Sequence, residues 1–166
     1  MKNRRILLGV ILVVISSIIL ISYINFRMIK VSNLYEQEFK DKLMMAVQEE
    51  SSFHMKDLTS FGWDRVFIIR PYTSKKEIQE IVGKKWTTYN TYAGYLIEKT
   101  YYGQHPLDDD VFHKLVFIKD EKVVLDVTIE RTSADFLQLD GIMDYDNDFL
   151  LIDKTGDSYP IIRRIK

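Results

Sequence analysis

Residues 66–83, VFIIRPYTSKKEIQEIVG, set a β-strand directly before a helix, and their reading decides the fold class. The run VFIIR at 66–70 is short, apolar and rich in β-branched residues, the pattern of a buried strand. Pro71 fixes its own φ and donates no backbone hydrogen bond, so the strand ends there. Ser74 and Glu77 stand at the S-x-x-E spacing of a capping box. In that motif the hydroxyl accepts from the third amide, and the carboxylate reaches back to the cap. Ile78, Ile81 and Val82 then share one helical face, and Gly83 suits the left-handed turn that closes a helix.

Downstream the pattern turns to strands. Residues 113–118, HKLVFI, and 123–130, VVLDVTIE, flank the polar loop KDEK and predict a β-hairpin. In its second arm Val123, Leu125, Val127 and Ile129 alternate with Val124, Asp126, Thr128 and Glu130, which predicts one apolar and one wet face. Residues 149–152 and 159–164 flank Lys154, Thr155, Gly156 and Asp157, a second hairpin signal. The aromatic stretch 89–102, with Tyr92, Leu96 and Tyr101 among Thr, Glu and Lys, predicts another strand, bent at Ala93 and Gly94. Together these predict an α+β domain over 61–166, with an antiparallel sheet of about five strands packed on one short helix.

Upstream, residues 31–52 predict a helix, either a stalk packed against the domain or a membrane-proximal helix. Phe39, Leu43, Met44 and Val47 make a narrow apolar stripe beside Leu34, Glu38 and Lys42, and residues 51–60 read as a connecting loop or short turn. The chain thus divides into 1–30, 31–60 and 61–166.

The first of these parts contains Ile6–Phe26, ILLGVILVVISSIILISYINF, an uncharged run flanked by Lys2, Arg4 and Arg5 before it and Arg27 and Lys30 after it. As a helix at about 1.5 Å per residue it spans roughly 30 Å, the thickness of a bilayer's hydrocarbon core. A cleaved signal peptide has a shorter apolar region and small residues at the cut; the best cut here follows Ser22 but has Leu20 two residues earlier. A lipid-modified terminus needs a cysteine, and the chain has none. A soluble core helix of this length has a polar face. The expectation is an uncleaved single-pass anchor with a cytoplasmic N-terminus and an extracytoplasmic domain. No ionisable residue lies in the run and no small-xxx-small spacing marks a dimer face, so it is an anchor and not a pathway. Ser16 and Ser17 can return their hydroxyls to the helix's own carbonyls.

Charge follows the same division. Five of the 23 basic residues and none of the 24 acidic ones fall within the first thirty, leaving 18 against 24 beyond them, a net of −6. An acidic domain without a basic stripe argues against a nucleic-acid partner. The absence of cysteine removes a disulfide scaffold, a thiol nucleophile and thiolate metal sites.

The block Phe61-Gly62-Trp63-Asp64, the strand to Arg70, Pro71-Tyr72-Thr73 and the short helix ending at Gly83 resembles a family of small bacterial envelope proteins. Members of that family are largely uncharacterised lipoproteins or single-span proteins. The Val116-Phe117 strand and the charged hairpin at Asp120-Glu121-Lys122 fit the same pattern. The resemblance covers most of 61–130 and implies an envelope location and this fold; it brings no catalytic residues. This chain departs from the lipoprotein members in carrying an apolar helix in place of the lipid-bearing cysteine.

Trp63, Asp64 and Tyr72 bracket the first strand and are the candidate ligand-binding residues, at a groove beside the strand end. Each also has a structural reading: Trp63 as a core plug, Asp64 as acceptor for a turn or partner of a basic side chain, and Tyr72 as a packing ring. His54, His105 and His113 have no zinc-binding spacing. His105 with Asp108, Asp109 and Asp110 reads as a solvated loop. The run Asp144-Tyr145-Asp146-Asn147-Asp148 starts like a calcium loop, but Phe149 replaces the turn glycine and Thr155 the bidentate glutamate. No nucleophile elbow or phosphate loop is present, so neither a catalytic residue nor a cofactor is expected.

The functional expectation is a non-enzymatic, membrane-anchored domain, held in the lipid bilayer through Ile6–Phe26, that binds an envelope protein or glycan. An exposed tyrosine patch from Tyr89, Tyr92, Tyr95, Tyr101 and Tyr102 would be its sign. The alternatives are an immunity-type or inhibitor protein, whose acidic face suits a basic target, and a carboxylate-dependent hydrolase with two acids in one cleft.

Overall fold

The computed structural model describes residues 2–100, 109–139, 141–155 and 159–164. The first expected strand is β2 (Arg65–Ile69), and it sits in the middle of a four-stranded antiparallel sheet. Its neighbours are β3 (Phe112–Lys119) and β5 (Ile142–Asp144), and β4 (Lys122–Glu130) pairs with β3 to give the order β4-β3-β2-β5. A second antiparallel sheet joins β1 (Ser52–His54), β6 (Phe149–Asp153) and β7 (Ile161–Arg163) in the order β1-β6-β7. The α+β expectation holds, with two sheets in place of the single one expected.

The four-stranded sheet is covered on both faces, which is why VFIIR shows no alternation. On one face Phe67, Ile69, Val116 and Ile118 pack with Val31, Trp86, and Ile78 and Val82 of α3 (Lys75–Val82). On the other face Val66, Ile68, Leu115, Phe117, Leu125 and Val127 pack with α2 (Glu36–Glu49) and the second sheet. The helix expected over 31–52 packs against the domain, and its bounds and buried set need correcting. α2 is shorter, and its Phe39, Leu43, Ala46 and Val47 are core residues, whereas Met44 is exposed. The expected loop at 51–60 supplies β1 and a 3-10 turn at Met55–Leu58, and Phe53, Met55 and Leu58 join the same core.

Local signals set the elements. Ser74 accepts from the Glu77 amide at 3.3 Å and its own amide donates to Glu77 Oε2 at 2.7 Å, a complete capping box. Gly83 closes α3 at φ 71°. The β3–β4 hairpin turns at Asp120 and Glu121, both with positive φ (47° and 62°), the two-residue turn that matches strand twist. A bulge opposite Phe117 and Ile118 leaves Val124 as the extra residue, so the strict alternation expected of β4 breaks there. Val123 packs on the α3 side, and Leu125, Val127 and Ile129 on the other.

The expected strand over 89–102 is a helix in its described part, α4 (Tyr92–Glu98). Thr91 caps it by accepting from the Gly94 amide at 3.1 Å. A Cβ on Gly94 would meet Tyr89 Cδ1 at 2.6 Å, so this glycine serves close packing and not a strand bend. Tyr101, Tyr102, His105 and Asp108 lie outside the described residues, as do Gly156 and Asp157 of the second hairpin signal.

α1 (Lys2–Ile29) contains 24 residues, Ile6–Ile29, long and apolar enough to cross a membrane. Within it Ser17 Oγ donates to the Val13 carbonyl at 2.9 Å, the self-satisfaction expected of a serine in such a helix. Its end is tied to the domain. Thr87 N donates to the Ile29 carbonyl and Val31 N to the Thr87 carbonyl, while Phe26 is buried against the rings of Tyr92 and Tyr95.

Candidate functional site

Trp63 and Asp64 come together at the N-terminal end of β2, on an open hollow of about 710 Å³ that also takes in Asp144, Tyr145 and Asp146. Trp63 itself is buried. Its ring packs edge-on against Phe117 and Tyr145, at 5.6 and 5.0 Å between centroids, and its Nε1 donates to Thr59 Oγ1 at 3.1 Å. Asp64 clamps the β3–β4 turn: Oδ1 accepts from Lys119 Nζ at 2.7 Å and Oδ2 from the Asp120 amide at 2.8 Å. These two bonds hold the Asp64 carboxyl below its ordinary range. What the hollow exposes is Tyr145 between Asp144 and Asp146. Its two cations are already engaged, Lys119 by Asp64 and Arg65 by Glu121.

Tyr72 is elsewhere. It follows the other end of β2, one five-residue strand away, which at about 3.3 Å per residue is roughly 17 Å. Its side chain is 65% exposed and its φ is 61°, a turn conformation uncommon for a bulky residue. The sequence-predicted residues therefore form a pair and a separate surface tyrosine, not one groove.

A polar cluster that sequence reasoning missed lies between α3, α4 and the sheet, around a cavity of about 280 Å³. Asp126, on the face of β4 expected to be wet, is 7% exposed. Its carboxylate accepts from Lys114 Nζ at 2.6 Å and from Trp86 Nε1 at 2.7 Å, and its backbone is held on both sides by the Asn33 side chain. Beside it Glu98 pairs with Lys75 and accepts from Thr87 Oγ1 at 2.6 Å. The participants come from α3, α4, β3, β4 and two connecting segments, so no short spacing announced them. The one signal was an acidic residue inside a valine-rich strand. With each charge paired, the cluster works as a clasp that fixes α3 and α4 on the sheet.

The calcium-like run divides between two tasks. Asp148 is buried and accepts from His54 Nδ1 and the Lys56 amide, both at 2.8 Å, securing the 3-10 turn to β6. Asp144 and Asp146 stay on the hollow. Among the described residues no three histidine or acidic side chains gather as a metal-holding group.

His113 is fully buried against Phe136, and neither ring nitrogen has a hydrogen-bond partner among the described residues. Burial pushes its pKa down to about 4, against the pull of Asp135, with Arg131 adding to the depression. The neutral ring is thus the folded form. An unfolded histidine titrates near 6.5, so the stability this supplies is complete above that pH and is lost as pH falls from 6.5 to 4. The loss reaches roughly 3 kcal/mol. Unfolding of the full chain in mild detergent, measured from pH 7 to pH 4, is expected to show that slope; His113→Leu is expected to flatten it. An unchanged slope in the variant would place the acid sensitivity elsewhere.

No protein-family model, curated protein or solved structure matches the chain.

Proposed function

We propose that the chain is a single-pass membrane protein with a cytoplasmic N-terminus. Its extracytoplasmic domain binds an envelope protein or glycan without catalysis. The observation that carries the membrane part of this reading is α1. Every large apolar side chain from Ile6 to Ile21 is 45–67% exposed, a surface that water does not tolerate and that hydrocarbon accommodates. The resemblance of residues 61–130 to small envelope proteins supports the same location.

The hollow at the β2 end is the binding surface that best fits. Asp144 and Asp146 flank the exposed Tyr145 ring, with their neighbouring cations already engaged. Carboxylates beside an aromatic face suit sugar hydroxyls or the ammonium groups of a basic protein. The tyrosine patch expected over 89–102 supports binding less, because Tyr95 is buried and Tyr92 packs on α1. A photo-crosslinking residue at the exposed Asp146, in intact cells, is expected to trap a discrete product that Asp144→Lys abolishes. The same probe at the exposed Thr132, away from the hollow, is expected not to trap it. Identical products from both positions would remove the hollow from consideration.

A further inference from the structure

α4 sits against the last turns of α1, and with α1 read as the membrane span this sets how deep α4 lies. Tyr92 meets Tyr23 at 5.5 Å and Phe26 at 5.8 Å between ring centroids, and Asn25 Nδ2 donates to the Tyr95 hydroxyl at 2.8 Å. Phe26 is the last residue of the uncharged run, before Arg27, and Tyr23 lies three residues inside it. At about 1.5 Å per residue α4 therefore packs between the end of that run and about 5 Å inside it, at the boundary where interfacial helices lie.

The two faces of α4 divide accordingly. Tyr92, Tyr95 and Glu98, at helical spacing, point to α1 and the domain, whereas Leu96 (43% exposed) and Ile97 (57%) point away. Met28, on the last turn of α1, is 80% exposed. Between the end of α1, α3 and α4 a cleft of about 670 Å³ is lined by Lys75, Lys76, Lys84, Lys85 and Lys99, with Glu80 and Glu98 as its acids. Lys75 pairs with Glu98, Lys76 loosely with Glu80 at 3.8 Å and Lys84 with Glu121, which leaves Lys85 and Lys99 without an acidic partner among the described residues. The lining is net positive in a part of the chain that is net negative overall. Positive charge thus gathers where the span ends, which suits a layer of anionic phospholipid headgroups.

We propose that Leu96 and Ile97 enter the bilayer interface and that the adjoining lysine cleft binds anionic phospholipid headgroups. The domain is then seated on the membrane and not held away from it. Tyr23 and Tyr92 supply the aromatic belt at the same level. The proposal rests on α1 as the anchor, and the test separates the two.

The chain has no cysteine, so single spin labels can be placed at Ile97→Cys, at Leu12→Cys in mid-span and at Thr132→Cys on the domain. The full chain is reconstituted in phosphatidylcholine vesicles with and without phosphatidylglycerol. Accessibility to oxygen and to a water-soluble nickel chelate is then read. The expected result is Leu12 deep, Thr132 aqueous, and Ile97 at headgroup depth with several-fold preference for oxygen. That preference is expected to fall in neutral vesicles and when Lys76, Lys85 and Lys99 are changed to Gln. Ile97 aqueous with Leu12 deep would overturn the proposal and leave the anchor standing. Leu12 aqueous would overturn the anchor, and the proposal with it. Ile97 shielded from both reagents would mean that protein covers α4 and would equally overturn the proposal, and equal immersion in both vesicle types would overturn the headgroup role of the lysines.

Discussion

Asp126→Ala is expected to destabilise the fold by about 3 kcal/mol, the low end of what removing one partner from a buried ion pair costs. The substitution leaves Lys114 Nζ and Trp86 Nε1 facing an apolar gap in place of bonds of 2.6 and 2.7 Å. The low end applies because the Lys114 side chain is 21% exposed and regains some hydration. Asp126→Asn keeps an acceptor for Trp86 and should cost less. Adding Lys114→Met to Asp126→Ala should recover part of the loss, since the uncompensated charge goes with it. Urea unfolding of the full chain in mild detergent measures all four proteins. A cost below about 0.5 kcal/mol for Asp126→Ala, the size of an ordinary surface change, would show that the cluster is not a clasp.

Trp63→Ala is expected to cost more, about 3–5 kcal/mol. The indole is 2% exposed and fills the space between Phe117 and Tyr145, and no neighbour is free to collapse into it because the sheet backbone on both sides is hydrogen-bonded. Trp63→Phe should restore most of the packing and lose only the bond to Thr59. The same unfolding experiment decides the role of the residue. A large loss makes Trp63 the floor of the hollow, while a near-zero loss with changed crosslinking from Asp146 would make it a ligand contact.

What was legible in the chain was local. Ser74, Glu77 and Gly83 act within one turn of themselves, and the capping box and left-handed stop formed as read. The β3–β4 hairpin was legible because Asp120 and Glu121 separate two apolar runs at turn length. The aromatic stretch misled because tyrosine and threonine favour strands in general. The spacing of Tyr92, Tyr95 and Glu98, behind the cap at Thr91, was the helical signal. The stripe of α2 was visible, but not what covers it, since its partners Phe53, Phe117 and Leu150 are distant in sequence. Strands β1 and β5 have three residues each, too few for a period to show.

For the candidate site, Trp63 and Asp64 were legible as a pair because they are adjacent. Tyr72 was grouped with them by its place in a motif, and a strand keeps them apart. The Asp126 cluster was illegible for the opposite reason. Alternation in β4 assigns Asp126 to the outer face, and only the docking of α3 and α4 makes that face an interior.

The central claim is that α1 anchors the chain with its domain outside the cytoplasm, and single-cysteine labelling in intact cells tests it most directly. The full chain carrying Thr132→Cys is expected to react with a membrane-impermeant maleimide, while the one carrying Asn3→Cys reacts only after permeabilisation. Both should remain full length in the carbonate-washed membrane pellet. Labelling of Asn3 with protection of Thr132, or recovery of a shortened soluble chain, would contradict the account.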